Sequence, residues 1–157
     1  MAKKTSKPGV IARNRKARFD YELERTFEAG IVLEGWEVKS IRSGKASLVD
    51  SYVTMHDGEA FLNGSRIEPL ASASTHVVAA ADRSRKLLLH DYELGQIYSA
   101  VQTRGRTCIA LSLYWKGQRV KCEIALATGR KKYDKRQLLR ERDLKLEQQR
   151  EARESSY

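Results

Sequence analysis

Three histidines, His56, His76 and His90, and two cysteines, Cys108 and Cys122, are the residues from which this chain could build a metal site or a nucleophile. Their spacing builds neither. The histidines are scattered, with no Cys or acidic partner at ligand spacing, and read as structural or surface residues. The cysteines lack a CxxC spacing and the density of a disulfide scaffold, so both are expected as reduced thiols. A GxxxxGK[ST] phosphate loop and a GxSxG elbow are both missing from the sequence. Carboxylates are the last route to catalysis: Glu28, Glu34, Glu37 and Asp50 could converge as a metal-dependent nuclease site, although only their number favours it. A catalyst is therefore not the expectation, and no metal or cofactor is called for.

Binding chemistry is better represented. In NRKARFDYE the cations Arg15, Lys16 and Arg18 interleave with Asn14, Phe19 and Tyr21. Such a stretch offers charges to phosphates, and rings and an amide to bases. A plainer alternative stays open, in which a solvated arm runs into a first strand and Phe19 or Tyr21 sits in the core. The charge distribution favours a polyanion. Residues 1–18 hold seven Lys/Arg and no acid, and residues 129–157 hold ten basic and six acidic side chains, which leaves −1 of the net +10 on residues 19–128. Two basic arms on a nearly neutral body fit nucleic acid better than a membrane, because the arms lack the Trp/Phe/Leu face of an interfacial helix. No apolar run approaches the roughly 18 residues of a membrane span, and the N-terminus lacks the hydrophobic centre of a signal peptide, so a cytosolic protein is expected.

The elements that must position these residues are mostly strands. A chain of 157 residues with 41% hydrophobic content supports one core. In SYVTMHDGEAFLNGS two alternating segments flank Asp57-Gly58, a hairpin signal. A second hairpin is readable in TCIALSLYWKGQRVKCEIALA, turning near Lys116-Gly117. Alternation puts Ile109, Leu111, Leu113 and Trp115 on one face and Val120, Cys122, Ile124 and Leu126 on one face, with Cys108 outward and therefore away from Cys122. The same parity lets Tyr114 and Lys121 share an outer patch. Leu94, Ile97, Tyr98 and Val101 follow helical spacing over 91–103, with Gly105 as a stop. Trp36, Val38 and Ile41 fit a shorter helix closed by Gly44, between strand-like FEAGIVLE and ASLVDSYV. The predicted fold is mainly β: a small antiparallel OB-like barrel with two or three accessory helices. Its divisions are a basic arm over 1–18, whose C-terminal half joins the barrel, the barrel over 19–128, and a tail over 129–157.

That tail has no Gly or Pro after Gly129 and is rich in helix-forming Arg, Lys, Glu, Gln and Leu. Glu141/Lys145 is a favourable i, i+4 pair, whereas Arg136/Arg140, Asp143/Glu147 and Glu147/Glu151 repel. Leu138, Leu139, Leu144 and Leu146 cover too little of a face to dock a long helix. The expectation is a segment disordered alone that becomes helical on an anionic partner.

NRKARFDYE, EAGIVLEGWEVKSIRSGKASLVDSYV, DGEAFLNGSRIEP, STHVV, RSRKLLL, ALSLYWK and GRKKYDKR occur in an order and spacing that closely resembles the SmpB family, the SsrA-binding proteins of bacterial trans-translation. The resemblance covers about residues 8–136. It implies an OB-like barrel, without catalytic activity, that binds the tRNA-like domain of tmRNA and escorts it to stalled ribosomes. It also implies elongation factor Tu with alanyl-tmRNA in the delivery complex, and a monomer. RNA contacts carry over to Asn14, Glu28, Leu88 and Lys121, with Leu88 an apolar platform and Glu28 an acceptor. The tail motif falls on Gly129, Arg130, Lys131, Asp134, Lys135 and Arg136, which the resemblance sends into the decoding centre and the empty mRNA channel. Phe19 and Tyr133 stand where many relatives carry His, and either ring can stack. Three other readings remain: a general rRNA or tRNA binder, an RNA-processing enzyme using clustered acids, and a module whose tail forms a coiled coil.

Overall fold

The computed structural model describes residues 9–70, 80–103, 105–130 and 132–155, with side chains at all of these except 132–134 and 154–155. His76 and Lys131 lie outside the described residues. In chain order the elements are β1 (Val10–Arg13), α1 (Ala17–Asp20), β2 (Tyr21–Ile31), α2 (Gly35–Arg42), β3 (Ala46–Ser47), β4 (Tyr52–His56), β5 (Glu59–Asn63), β6 (Arg66–Ile67), β7 (Arg85–Leu88), α3 (Asp91–Val101), β8 (Arg106–Lys116), β9 (Arg119–Gly129) and α4 (Lys132–Ser155). The large sheet runs β1-β8-β4-β5-β7-β2-β9 with every pair antiparallel, and β8 also pairs β9. Six strands thus close an OB-like barrel, to which β1 adds on β8. β3 and β6 form a separate small pair.

Both expected hairpins are present, each with the backbone its turn requires. Asp57 and Gly58 have φ of 52° and 75°, the double positive φ of a type I′ turn joining β4 to β5. Lys116 pairs Arg119 across a two-residue loop whose first member, Gly117, has φ of 64°, the requirement of a II′ turn.

The alternation expected along β8 is corrected by a bulge. Ala110 faces Ile124 and Ser112 faces Glu123, so Leu111 is an extra residue with no partner in β9. One extra residue reverses which side chains point inward. Leu113 and Trp115 therefore share the main core with Cys108 and Ala110, while Ile109 and Leu111 turn outward into a second cluster with Ala17, Ala125 and Ala127. Cys108 is inward, not outward. It lies with Cys122 in the same core, and both are free thiols. Burial pushes Cys108 up to about 12 and raises Cys122 as well, so neither is a reactive thiolate.

α3 packs on β8 and β9. Ile97 and Ala100 are buried, whereas Tyr98, expected in the apolar stripe, is 55% exposed. The contact centres on Ile97, and Tyr98 is one residue of helical rotation away. His90 and Glu93 cap this helix reciprocally. No described helix is long and apolar enough to cross a membrane.

α2 carries a second surprise. Besides Trp36 and Ile41, its buried face includes Glu37 at 0% exposure. Arg85, equally buried, donates from Nε to Glu37 Oε2 at 2.7 Å, and Arg83 donates from Nη2 to Oε1 at 2.6 Å. The remaining Arg85 donors reach Ser65 Oγ, the Ser65 and Arg83 carbonyls and the Ala81 carbonyl. The ions are thus compensated and tie α2 to β7, the strand that ends at Leu88. Burial alone would raise the Glu37 carboxyl, but hydrogen bonds from Arg83 and the Glu34 backbone and the charge of Arg85 outweigh it and hold it below its ordinary 4.5. A lowered folded-state value means that this contribution is complete above pH 4.5 and is lost as pH falls through the folded value. Glu37→Gln is expected to lower stability by about 3–5 kcal/mol at pH 7, with a difference from the parent that shrinks as the medium is acidified. Urea unfolding at several pH values checks this, and a loss that stayed constant with pH would contradict it.

Candidate nucleic-acid interface

Register brings most of the proposed barrel contacts onto one outer wall. Gly30 on β2 faces Leu88 on β7 on one side and Lys121 on β9 on the other, and Lys121 faces Tyr114 on β8, which faces Val10 on β1. The next row is Glu28, Glu123, Ser112 and Arg13. Directly opposed residues point to the same face, so five strands present a continuous strip. Leu88 stands 53% exposed at one end, an uncovered apolar surface of the kind that stacks on a base or ribose. It lies close over Gly30, where an added Cβ would meet the Leu88 Cβ at 3.2 Å.

Two acids, Glu28 and Glu123, stand side by side in this strip, and Glu28 is the one held by hydrogen bonds to its neighbours. Its Oε2 accepts a hydrogen bond from the Tyr114 hydroxyl, and its Oε1 accepts one from Lys116 Nζ at 2.9 Å. The Tyr114 bond, then the Lys116 bond and the nearby charges of Lys116 and Lys121, hold its carboxyl below the usual carboxylate range against a smaller opposing effect of burial. Tyr114 itself is buried, and burial together with Glu28 raises its phenol, so it remains a donor. The result is a fixed carboxylate, 40% exposed and beside cations, that keeps capacity to accept further hydrogen bonds. Such a group accepts from base amino groups and 2′-hydroxyls while the cations meet phosphates.

The basic arm continues this wall. Asn14 is not on its surface: the side chain is buried, its Nδ2 donates to the Ala110 carbonyl at 3.0 Å, and its backbone N–H donates to the Leu111 carbonyl at 2.8 Å. Both bonds land on the bulge. Tyr21 packs half-buried against the second cluster, as the core alternative has it. Arg15, Lys16 and Arg18 are exposed, and Lys16 approaches Asp20 and Asp50 at 3.9 and 4.0 Å. A cleft of about 760 Å³ opens between this wall and α4, lined by Arg13, Arg15, Arg18, Phe19, Arg142 and Lys145 with Glu123 and Glu141. None of its five cations is in an ion pair among the described residues.

The tail residues divide between body and helix. Gly129 ends β9 opposite Tyr21, and the Arg130 N–H donates to the Asp20 carbonyl at 2.9 Å. Tyr133 and Asp134 lie in the first turn of α4, Lys135 contacts Asp20 and Phe19, and Arg136 is exposed. Where the sequence suggests order only on a partner, the structure has one 24-residue helix. Its start is supported by α1 and by half-buried Leu138 in the cleft. Sequence reasoning missed Asp20, Lys116 and Arg13. The first acid after the basic arm was the available signal for Asp20, and the turn position beside Gly117 for Lys116.

The four acids considered for catalysis do not gather. Glu28 is on the outer wall, Glu37 is buried under Arg83 and Arg85, Glu34 caps α2, and Asp50 sits exposed near Lys16. Among the described residues no group of three or more His, Cys, Asp or Glu is placed to hold a metal ion.

Fold and wall together define a small antiparallel barrel protein with a cationic, hydrogen-bonding outer face and a long charged helix. Comparison with known proteins makes the assignment specific. The family model described as SmpB protein matches residues 11–154. SsrA-binding proteins of Pseudomonas paraeruginosa (strain PA7) and Azotobacter vinelandii are 59% and 58% identical over 154 residues, covering 98% of this chain and 97% and 96% of theirs. A chain from the solved structure described as "tmRNA-SmpB: a journey to the center of the bacterial ribosome" is 39% identical with a TM-score of 0.66, covering 79% of this chain and 86% of that one. The chain belongs to the SmpB family.

Replacing Tyr114 by Phe removes the leading cause of the low Glu28 value, so the carboxyl is expected to move up toward its ordinary range. Carboxyl-detected NMR titration of parent and variant reads this, and an unmoved Glu28 would contradict the geometry.

Proposed function

We propose that this chain binds SsrA RNA, that is tmRNA, and brings it to stalled ribosomes. The observation that carries the reading is the outer strip in which Leu88, Lys121 and Tyr114 align by register beside a Glu28 carboxylate held between Tyr114 and Lys116. A strip of that composition reads shape and ribose rather than base sequence: cations supply affinity, the carboxylate discriminates hydroxyl and amino donors, and the apolar end packs on an exposed ring. Its likeness to SsrA-binding proteins supports the same ligand.

The tRNA-like domain of tmRNA is the proposed ligand of the strip, and the basic arm extends the contact through Arg15, Lys16 and Arg18. The tail is the ribosome-facing part. With most of α4 exposed and charged, it suits a channel walled by rRNA, where Arg130, Lys131, Lys135 and Arg136 meet phosphates and Asp134 accepts from ribose or bases. Phe19 and Tyr133 contribute rings able to stack. Elongation factor Tu with alanyl-tmRNA completes the delivery complex, the protein acts as a cytoplasmic monomer, and it catalyses no reaction itself.

Competition binding at fixed salt is the test, with a tRNA-like-domain fragment against a size-matched structured RNA. Glu28→Arg is expected to weaken fragment binding about tenfold, near 1.4 kcal/mol. Truncation after Gly129 should leave that affinity within about twofold yet abolish tagging on stalled ribosomes. Equal affinity for both RNAs, or failure of both variants at the binding step, would overturn the division of labour.

A further inference from the structure

The β4–β5 hairpin and α3 do not close on each other. Between them lies a groove of about 560 Å³, with Met55, Asp57 and Gly58 on the hairpin side and Asp91, Leu94, Gly95 and Tyr98 on the helix side. The four helix residues recur at three- and four-residue spacing, so they share one face of α3. Met55 and Leu94 are partly buried against the main core, which makes the floor of the groove apolar. Tyr98 stands beside it, 55% exposed.

Gly95 is the residue that the fold does not account for. It sits inside α3, where glycine is less stable than alanine by about 1 kcal/mol. Nothing packs on it, because a Cβ added there would meet no heavy atom within 4 Å. Its backbone is not in the left-handed region either, so neither a close contact nor a special φ requires glycine here. What the missing side chain keeps is the open space of the groove.

The charge around that space selects the class of occupant. Residues 56–59 and 90–101 hold four acids, Asp57, Glu59, Asp91 and Glu93, and no Lys or Arg, in a chain of net charge +10. Glu59 is paired with Lys86, and Glu93 accepts from the His90 N–H. Asp57 and Asp91 have no Lys or Arg partner among the described residues. Two carboxylates thus flank an apolar floor and an exposed phenol ring. Phosphates are repelled by such a rim. A Lys or Arg side chain suits it, since the methylene stem covers apolar surface while the charged head meets carboxylates and the face of the ring.

We propose that the groove docks a basic segment of a partner protein: an extended peptide that lays one Lys or Arg stem over Met55, Leu94 and Gly95 against Tyr98, its charge toward Asp57 and Asp91. The chain then meets RNA on the outer wall of the barrel and protein between the hairpin and α3. None of the residues of the proposed RNA face takes part, so the two surfaces are separable.

NMR titration of the isotopically labelled full chain tests it. The probes are the capped peptide Gly-Arg-Leu-Arg-Gly-Arg, its counterpart with Glu for Arg, and a hexauridylate RNA. The basic peptide is expected to shift the amides of Met55, Gly58, Gly95 and Tyr98, and the other two probes to leave them unmoved. Gly95→Leu fills the groove and should weaken peptide binding about tenfold without lowering the melting temperature, since leucine is the better helix former. Asp57→Asn keeps the turn, because Asn suits its positive φ, and should weaken binding about threefold. No shifts in the groove, shifts confined to α4, binding unchanged in both variants, or hexauridylate moving the same amides would each overturn the assignment.

Discussion

A single inserted residue in β8 governs much of this molecule. Leu111 has no partner in β9, and the reversal it causes sends Leu113 and Trp115 into the barrel but Ile109 and Leu111 outside it. An apolar patch on an outer wall needs a cover, and α1 provides one through Ala17. The bulge also frees two carbonyls, those of Ala110 and Leu111, and Asn14 satisfies both, one from its side chain and one from its backbone. Buried carbonyls without partners would each be destabilising by about 1–3 kcal/mol, so this residue fixes where β1 ends and α1 begins. From that seat α1 carries Arg18 and Phe19 toward the cleft and Asp20 toward the tail. The irregularity in one strand thus positions the arm, the edge of the binding wall and the exit of α4 together.

The binding wall shows how the surrounding charges are used. It holds Arg13, Lys116 and Lys121 beside the acids Glu28 and Glu123, and the Glu28 carboxyl is kept low by Tyr114, Lys116 and Lys121, a deprotonated acceptor. Phosphate contacts alone would hold any RNA, and their strength would fall steeply with salt. An oriented carboxylate adds a requirement for a donor at one place, and exposed Leu88 adds a requirement for a flat apolar surface at another. Under the proposed function, recognition by shape follows from fixing these unlike groups in one register. The Glu37–Arg85 pair serves the same end from inside the barrel, because Arg85 begins the strand that Leu88 ends.

Local patterns carried far in the sequence. Asp57-Gly58 and Gly117 marked turns whose backbone angles need those residues, and the spacing of Ile97 and Val101 marked α3. Alternation named buried positions along β9 correctly, since β9 pairs β8 and β2 through an inward face that never switches over Val120 to Leu126. It failed on β8 because a bulge depends on what the partner strand does, which a period of two along one segment cannot contain. Glu37 was named only among acids that could converge, and its burial was not legible because its partners lie 46 and 48 residues away. Asn14 read as a surface group for a related reason: the carbonyl it serves is 96 residues distant. Leu88 and Lys121, named on separate stretches of the sequence, stand beside the same glycine in the sheet.

The most direct measurement is an NMR titration of the isotopically labelled full chain with a tmRNA tRNA-like-domain fragment at moderate salt. The account predicts that the largest amide shift changes fall at Glu28, Gly30, Leu88, Tyr114 and Lys121, with residues 139–153 nearly unaffected. Changes concentrated in α4 and weak across the barrel wall would contradict it, placing RNA recognition in the tail's charge instead of in the register of the sheet.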